Sequence, residues 1–254
     1  MTYNIRFDNE QDGLNKWENR KQGIVNLIEY YEPRILGVQE AMEHQLNYLD
    51  DNLTNYSRIG VGRDDGKAKG EFCAIYYDNN QLSLVNESTF WLSQRDNRVS
   101  VGWDASMERI CTYGLFQDKI NNNKILIFNT HYDHIGKIAR EKSSELILNK
   151  IKEINKNGFP VILLGDFNSE PNSKPIKLIT KELEDGAKKA KNGIYGPIGT
   201  FTGFKINTKA QRRIDYIFIK NLKVNTYRHI DDKMKDNNYL SDHLPVLIEL
   251  EYLN

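Results

Sequence analysis

A chain of 254 residues that is 39% hydrophobic and 28% charged has the composition of a globular protein with a sizeable core. Lysine plus arginine and aspartate plus glutamate each number 35, so the formal net charge is zero. This balance argues against non-specific binding of long nucleic acid, which needs a basic excess to neutralise phosphates, but leaves room for a local basic cleft.

The first quarter of the chain alternates between strand-like and helical patterns. Residues 2–7 read as a strand, 17–32 as a helix with one apolar stripe, 34–39 as a buried strand and 43–53 as a short amphipathic helix. No apolar run reaches the roughly 18 residues that cross a bilayer. The start of the chain does not resemble a signal peptide, which predicts a cytoplasmic location, or an exported one if a leader has been removed.

The middle of the chain is rich in β-structure and then returns to helix. Strands are predicted at 72–77, 82–91, 110–116 and 124–130, several of them joined by asparagine-rich turns. Residues 139–155 form the clearest amphipathic helix, and Asn157-Gly158 ends it before the apolar run at 161–164.

The last third predicts a helix at 174–182, a glycine-rich loop at 193–203 and strands at 213–219, 223–229 and 244–251. Helices separated by β-rich blocks favour an α/β protein with mixed, largely antiparallel sheets. Two sheets packed face to face with helices outside would accommodate the pattern, although the pattern alone leaves the topology open. No linker, composition shift or repeat divides the chain, so residues 1–254 are expected to form one domain.

Polar side chains lie at the ends of several of these strands. The run 161–164 leads into Gly165-Asp166-Phe167-Asn168, and Ser241-Asp242-His243 precedes the final strand. Acidic and imidazole groups at the rims of buried strands are costly unless a metal, hydrogen bonds or a substrate satisfies them. The pattern therefore indicates a functional site.

Six motifs in order along the chain resemble the endonuclease/exonuclease/phosphatase superfamily, the DNase I-like metal-dependent phosphodiesterases. They are Tyr-Asn-Ile at 3–5, Gln-Glu at 39–40, Asn-Thr-His at 129–131, Gly-Asp-Phe-Asn at 165–168, Ile-Asp-Tyr-Ile-Phe at 214–218 and Ser-Asp-His-Leu-Pro at 241–245. The resemblance implies a four-layer α/β sandwich with its site at one edge of both sheets. It also implies Mg²⁺ or Mn²⁺ as cofactor.

The resemblance also implies a role for each matching residue. Glu40 would ligate the metal, with Asn4 and Asp242 as further members of the metal site. The catalytic set would be Asp166 on the attacking water, Asn168, His131 and His243 on the phosphate, and Asp215 holding the ring of His243. These residue types suit phosphoryl transfer, which depends on positioning and charge stabilisation.

Two positions distinguish branches of the family. Arg6 stands where the AP-endonuclease branch has Asp, and His131 stands where that branch has Tyr. The pattern is closer to the deadenylase/nocturnin branch and its uncharacterised bacterial relatives, which makes base-excision repair less favoured.

Further basic residues are candidates for substrate binding. Arg63 lies in a glycine-rich loop at 60–67 that lacks the Gly-Lys-Ser/Thr ending of a P-loop, and Arg109 and His134 lie near motif segments. One interpretation of Glu71 and Arg109 is a buried ion pair near the cleft.

The leading hypothesis is a phosphodiesterase resembling a 3′-5′ exoribonuclease, acting on RNA or a nucleotide as a monomer without a stable nucleic-acid scaffold. One alternative is a phosphatase or phospholipase-type hydrolase of sugar, inositol or lipid phosphates, and another is a non-catalytic binding module. Each site residue also has a structural interpretation, such as an Asx turn for Asp166, but a carboxylate inside an apolar run, like Asp215, needs a partner.

Overall fold

The predicted helices are all present in the computed structural model, which describes residues 1–253. The α-helices are α1 (Trp17–Tyr31), α2 (Glu43–Asn52), α3 (Lys137–Ile154), α4 (Lys174–Ile179) and α5 (Gly186–Lys189), and a 3₁₀ helix covers Glu10–Asn15. The short α5 and the 3₁₀ helix have no apolar periodicity of useful length and were not predicted. Among the described residues, none of the helices combines the length and apolar character needed to cross a membrane.

Thirteen strands are found in residues 1–253: β1 (Thr2–Asn4), β2 (Ile35–Gln39), β3 (Tyr56–Ile59), β4 (Ile75–Asp78), β5 (Leu82–Trp91), β6 (Ile110–Asp118), β7 (Lys124–His131), β8 (Val161–Asp166), β9 (Glu184–Asp185), β10 (Ile194–Tyr195), β11 (Asp215–Lys220), β12 (Leu222–His229) and β13 (Val246–Tyr252). The first strand is shorter than predicted because Arg6 adopts a left-handed backbone conformation, with φ of 59°. The strands β3, β9 and β10 are additions.

The strands form two mixed sheets. Sheet I has the order β10-β12-β13-β1-β2-β4-β3, and sheet II has the order β5-β6-β7-β8-β11-β9. Parallel pairing occurs between β1 and β2, between β7 and β8, and between β10 and β12, and the other neighbours are antiparallel. The expected mixed and mostly antiparallel arrangement is confirmed.

Three apolar clusters hold four layers together. One joins α1 and α2 to the outer face of sheet I, and a second joins α3 and α4 to the outer face of sheet II. The third lies between the sheets. Strand β8 shows the alternation that this requires, because Val161 and Leu163 face the helices whereas Ile162 and Leu164 face the other sheet.

A buried asparagine bridges the sheets close to the ends of β2 and β7. Asn129 Nδ2 donates to the carbonyl oxygens of Val38 (2.9 Å) and Ala74 (2.8 Å), and its Oδ1 accepts from Gln39 Nε2 (2.7 Å). Gly37 permits this approach, since a Cβ there would lie 2.1 Å from Leu164 Cδ1 and 2.9 Å from Asn129 Cγ. The bridge fixes the carboxyl ends of the two strands relative to each other.

Candidate active site

Strand register in sheet II places three predicted catalytic residues side by side. His131 pairs with Asp166 across parallel β7 and β8, and Asp166 pairs with Asp215 across antiparallel β8 and β11. All three side chains are buried. The three residues therefore share one edge of the sheet, although His131 and Asp215 are more than eighty positions apart in sequence.

Sheet I contributes Asn4 and Glu40 to the same edge. Asn4 Nδ2 donates to Glu40 Oε1 (2.9 Å) and to Asp166 Oδ2 (3.1 Å), so it connects the two sheets directly. Glu40 directly follows β2 in a left-handed conformation, with φ of 61°, and its Oε2 accepts from the Phe7 N–H (3.2 Å). Left-handed backbone at a non-glycine residue is strained and is a recurrent feature of functional sites.

Asp166 lies at the centre of this arrangement. Its Oδ1 accepts from the Asn168 N–H (2.8 Å), which is the Asx turn expected on structural grounds, and its Oδ2 faces both histidines. Burial and the neighbouring charge of Asp215 raise the pKa of Asp166 to about 7. A carboxyl group with this pKa can accept a proton near neutral pH.

His243 is paired with a carboxylate. Its Nδ1 donates to Asp215 Oδ2 (2.9 Å), and its Nε2 lies 3.7 Å from Asp166 Oδ2. Burial alone would lower the pKa of His243, but the charges of Asp215 and Asp166 raise it well above its usual value. Thr200 Oγ1 donates to Asp215 Oδ2 (2.5 Å), a contact that no sequence signal indicated.

His131 has the opposite character. Burial and the nearby guanidinium groups of Arg109 and Arg63 hold the pKa of His131 well below its usual value. Asn168 Nδ2 lies 3.0 Å from His131 Nε2 and donates to the Tyr132 carbonyl oxygen (3.0 Å). Because the carbonyl fixes the amide orientation, Nε2 accepts from Asn168 and the proton of the neutral ring resides on Nδ1.

The site contains a donor set that fits a hard divalent cation. Within residues 1–253, Glu40, Asp166 and His243 are the acidic or imidazole groups whose ligand atoms all lie within 4.8 Å of one another. Two carboxylates suit Mg²⁺ or Mn²⁺, which prefer oxygen ligands. His243 is held as a cation by Asp215, so the oxygen donors of this group are the better ligands.

Asn4 and Asp242, the other two residues predicted for the metal site, differ from Glu40 in how their side chains are placed. Asn4 turns its amide nitrogen toward Glu40 and Asp166, while its Oδ1 accepts from the Arg6 N–H (3.0 Å). Its amide would have to rotate for the oxygen to ligate a cation. Asp242 is buried beside this group and its Oδ1 accepts from Ser241 Oγ (3.3 Å), but it lies outside the 4.8 Å set found in residues 1–253.

The three candidate substrate-binding residues cluster on the His131 side. Arg63 and Arg109 line one pocket with His131, and Arg109 Nη2 donates to Nδ1 of the exposed His134 (3.0 Å). The ion pairing differs from the interpretation above, since Glu71 pairs with Arg63 (2.8 Å) and Arg109 pairs with Asp133 (3.3 Å). A Glu71–Arg109 ion pair is therefore wrong, although both residues line the pocket.

Asp133 organises this side of the site. Its Oδ2 accepts from the N–H (3.1 Å) and Oγ (2.8 Å) of Ser106 and from Arg109 Nε, and its Oδ1 accepts from the N–H groups of Ile135 and Gly136. Burial would raise the pKa of Asp133, but these hydrogen bonds, led by the Gly136 N–H, lower it to about 2. In the sequence, Asp133 is marked only by its position between His131 and His134. That position does not indicate its hydrogen-bond partners.

Comparison with known proteins finds a family model that matches the chain and several similar proteins. A model of the endonuclease/exonuclease/phosphatase family matches residues 1–243. A solved structure described as a mannosyl-6-phosphatase of Bacteroides thetaiotaomicron is 36% identical, with a TM-score of 0.95 over 99% of this chain and 98% of that one. A probable RNA exonuclease of Saccharomyces cerevisiae is 29% identical over 71% of this chain and 39% of its own length. Human nocturnin is 24% identical over 93% of this chain and 59% of its own length.

Proposed function

The chain belongs to the endonuclease/exonuclease/phosphatase family, and on that premise we propose that it is a Mg²⁺- or Mn²⁺-dependent phosphoester hydrolase whose main substrates are phosphorylated sugars. The observation that carries the reaction class is the convergence of Glu40, Asp166, Asp215 and His243 at one edge of both sheets. The His243–Asp215 pair provides a cation, and the neighbouring carboxylates of Asp166 and Glu40 provide a base and a metal ligand within a few ångströms.

Asp166 is the proposed base for the attacking water. Its Oδ1 is occupied by the Asn168 N–H, so its Oδ2 is the oxygen that can take the proton. Burial keeps the pKa of this carboxyl at about 7, which gives it basicity that an exposed aspartate lacks. Asn4 Nδ2 holds Oδ2 in place at 3.1 Å.

The histidines are proposed to hold the phosphate from two directions. His243, kept cationic by Asp215, would neutralise charge on one phosphoryl oxygen. His131 and the amide of Asn168 would contact another oxygen without adding charge. The phosphorus atom would then lie close to Asp166 Oδ2, which both rings face.

The proposed metal ligand is Glu40, with the carboxylate of the buried Asp242 and the amide of Asn4 as further members of the metal site. A cation held there would supply polarisation of the phosphoryl group and would offset the charge on the leaving oxygen. The chain itself orients Glu40 through the Phe7 N–H and Asn4, and it buries the group so that water competes less for these contacts.

Two observations favour a sugar phosphate. The mannosyl-6-phosphatase is 36% identical over nearly the whole chain, and the zero net charge lacks the overall basic excess on which binding of a long nucleic acid depends. The function proposed is therefore release of phosphate from a phosphomonoester of a hexose.

RNA is the second candidate substrate. Its support is the similarity to a probable RNA exonuclease and an aromatic ring beside the site. Phe201 is half-buried, its ring centroid lies 5.0 Å from that of His243 in an edge-on arrangement, and the guanidinium of Arg212 lies 5.6 Å from the Phe201 ring. A base could stack on such a ring.

The test compares mannose 6-phosphate, oligoadenylate RNA and bis-p-nitrophenyl phosphate, each with Mg²⁺, with Mn²⁺ and with EDTA. The proposal expects phosphate release from the sugar phosphate to exceed RNA degradation, and expects EDTA to abolish both. Asp166→Asn should lose about 10²-fold or more in kcat. The matched control is Asp118→Asn, a buried aspartate paired with Arg34 at the other end of the sheet. Hydrolysis that survives Asp166→Asn or EDTA would refute the mechanism.

A further inference from the structure

A small pocket beside the proposed reaction centre is lined by buried nitrogen atoms that make no hydrogen bond. Arg63 Nε, Arg109 Nη1 and His131 Nδ1 are each buried without a hydrogen bond, and all three residues line the same pocket. Arg109 is 4% exposed and His131 is 6% exposed. Buried donors without acceptors cost free energy, so a ligand that supplies an acceptor is favoured here.

The charge balance of the pocket identifies the kind of ligand. Arg63 is paired with Glu71 (2.8 Å) and its Nε lies 3.5 Å from Asp64 Oδ1, while Arg109 is paired with Asp133 (3.3 Å). The pocket therefore has no surplus of positive charge for a second phosphate or a carboxylate. A neutral group that both accepts and donates suits it better, because it can accept from Arg109 Nη1 and donate to the Glu71 carboxylate.

The size of the pocket limits the ligand to about one oxygen atom. Its volume is about 10 Å³, which holds roughly one water-sized group. Phe72 and Ile110 form apolar parts of its wall. A hydroxyl group on a ring fits these limits, whereas a whole sugar or base does not.

The position of the pocket ties it to the reaction. His131 directs Nε2 to within 3.5 Å of Asp166 Oδ2 and turns Nδ1, which bears the proton, to the pocket, where Glu71 Oε2 lies at 3.7 Å. Only the width of one imidazole ring separates the pocket from the proposed phosphate position. A group bound there belongs to the part of the substrate that lies next to the phosphate.

We propose that the pocket formed by Arg63, Glu71, Arg109 and His131 binds a sugar hydroxyl of the substrate close to the phosphorylated carbon and thereby selects hydroxylated phosphoesters. This assignment rests on the proposed function. Arg109 Nη1 donates to the hydroxyl oxygen, and Glu71 accepts its proton in a hydrogen bond. The hydroxyl belongs either to a hexose phosphate or to a ribose, and the two sources have the same chemistry.

The experiment measures kcat/KM on substrates that differ by single hydroxyl groups. One arm uses mannose 6-phosphate and its monodeoxy analogues, the second uses adenosine 3′-phosphate and its 2′-deoxy counterpart, and p-nitrophenyl phosphate is the reference without a sugar. The wild-type enzyme is expected to lose about tenfold or more on one deoxy substrate, since a site built to bind a hydroxyl rejects the analogue that lacks it. The arm in which the loss occurs identifies the source of the hydroxyl.

Two enzyme variants, Arg109→Lys and Glu71→Gln, are then assayed on the same substrates. Each forms a double-mutant cycle in which one change is in the enzyme and the other is the missing hydroxyl of the substrate. Both variants keep the approximate volume of the side chain, and thermal unfolding verifies that each is folded. In each, the preference for the hydroxylated substrate should fall to within about threefold of unity. The control is Arg34→Lys, another arginine paired with a buried aspartate, which should keep the wild-type preference.

The outcomes separate the two proposals. Hydrolysis of p-nitrophenyl phosphate and sugar phosphates with no preference among deoxy analogues, or a preference that both variants retain, overturns the hydroxyl pocket and leaves a structural water as its occupant. Absence of metal-dependent hydrolysis of every substrate overturns the proposed function and the pocket assignment with it.

Discussion

Two buried histidines lie at similar distances from Asp166, yet their surroundings give them opposite properties. His131 Nε2 is 3.5 Å from Asp166 Oδ2 and His243 Nε2 is 3.7 Å from it, and both rings are almost fully buried. Asp215 raises the pKa of His243, whereas Arg109 and Arg63 add to the effect of burial in lowering that of His131. Burial alone therefore does not decide the charge of an imidazole. The charged partner behind the ring decides it.

This difference divides the site into two regions with different tasks. In the His243 region, His243 Nδ1 and Thr200 Oγ1 both donate to Asp215, and the cationic ring supplies positive charge. The His131 region retains unpartnered donors and no surplus charge. The first region suits the stabilisation of phosphate, and the second suits recognition of a neutral neighbouring group.

The largest expected effect comes from replacing each ring by a neutral amide. His243→Gln removes a cation and should reduce kcat by about 10²- to 10⁴-fold. His131→Gln replaces a neutral ring by another neutral hydrogen-bonding group and should cost only about tenfold. Steady-state kinetics with p-nitrophenyl phosphate measures both. Equal losses in the two variants would break the distinction between the regions.

A smaller effect concerns the stability of the His131 region. Folding lowers the pKa of Asp133 from an ordinary 3.8 to about 2. Its ionised form therefore stabilises the folded state fully at pH values above 3.8, the ordinary pKa that the group has in the unfolded chain. Asp133→Asn should lower the free energy of unfolding by about 2 kcal/mol at pH 7. The deficit should disappear as the pH falls through about 4 to 2, because the wild-type carboxyl then becomes protonated.

Urea unfolding at several pH values measures this deficit. The control is Asp104→Asn, which removes an exposed carboxylate that accepts from the Ile138 and Ala139 N–H groups at the start of α3. It should change the pH dependence less than Asp133→Asn does. A deficit for Asp133→Asn that is the same at every pH would show that its charge is not the stabilising feature.

The smallest predicted effect sharpens the account of the His243 region. Thr200→Val removes the hydroxyl that donates to Asp215 Oδ2 and should cost about 1 kcal/mol of transition-state stabilisation, or about fivefold in kcat/KM. Thr130→Val is the matched control, since its buried hydroxyl donates to the Ile110 carbonyl oxygen (3.0 Å). A fivefold loss in the control as well would point to general loosening of the sheet.

The sequence predicted the elements with strong periodicity and the polar residues at their ends. The helix at 17–32, which one apolar stripe predicts, and the strand at 82–91 match α1 and β5 almost residue for residue. Strand β3 was missed because its four residues are mostly half-buried and have no clear alternation. Short elements of this kind depend on their neighbours in the sheet.

Pairing between side chains was the least predictable property. Glu71 and Arg109 seemed natural partners by charge, but the fold gives Glu71 to Arg63 and Arg109 to Asp133. The Asn129 bridge between the sheets likewise joins residues that only the topology brings together. Contacts between distant segments follow from packing, and a single sequence does not encode them as a local pattern.

The most direct test of the two-region site is the charge state of its imidazoles, measured by ¹⁵N NMR on histidine-labelled protein at pH 7. The variants His131→Gln and His243→Gln assign the signals. The account predicts protonation of both ring nitrogens in His243 and a neutral ring in His131 with its proton on Nδ1. A cationic His131, or the same charge state in both rings, would contradict it.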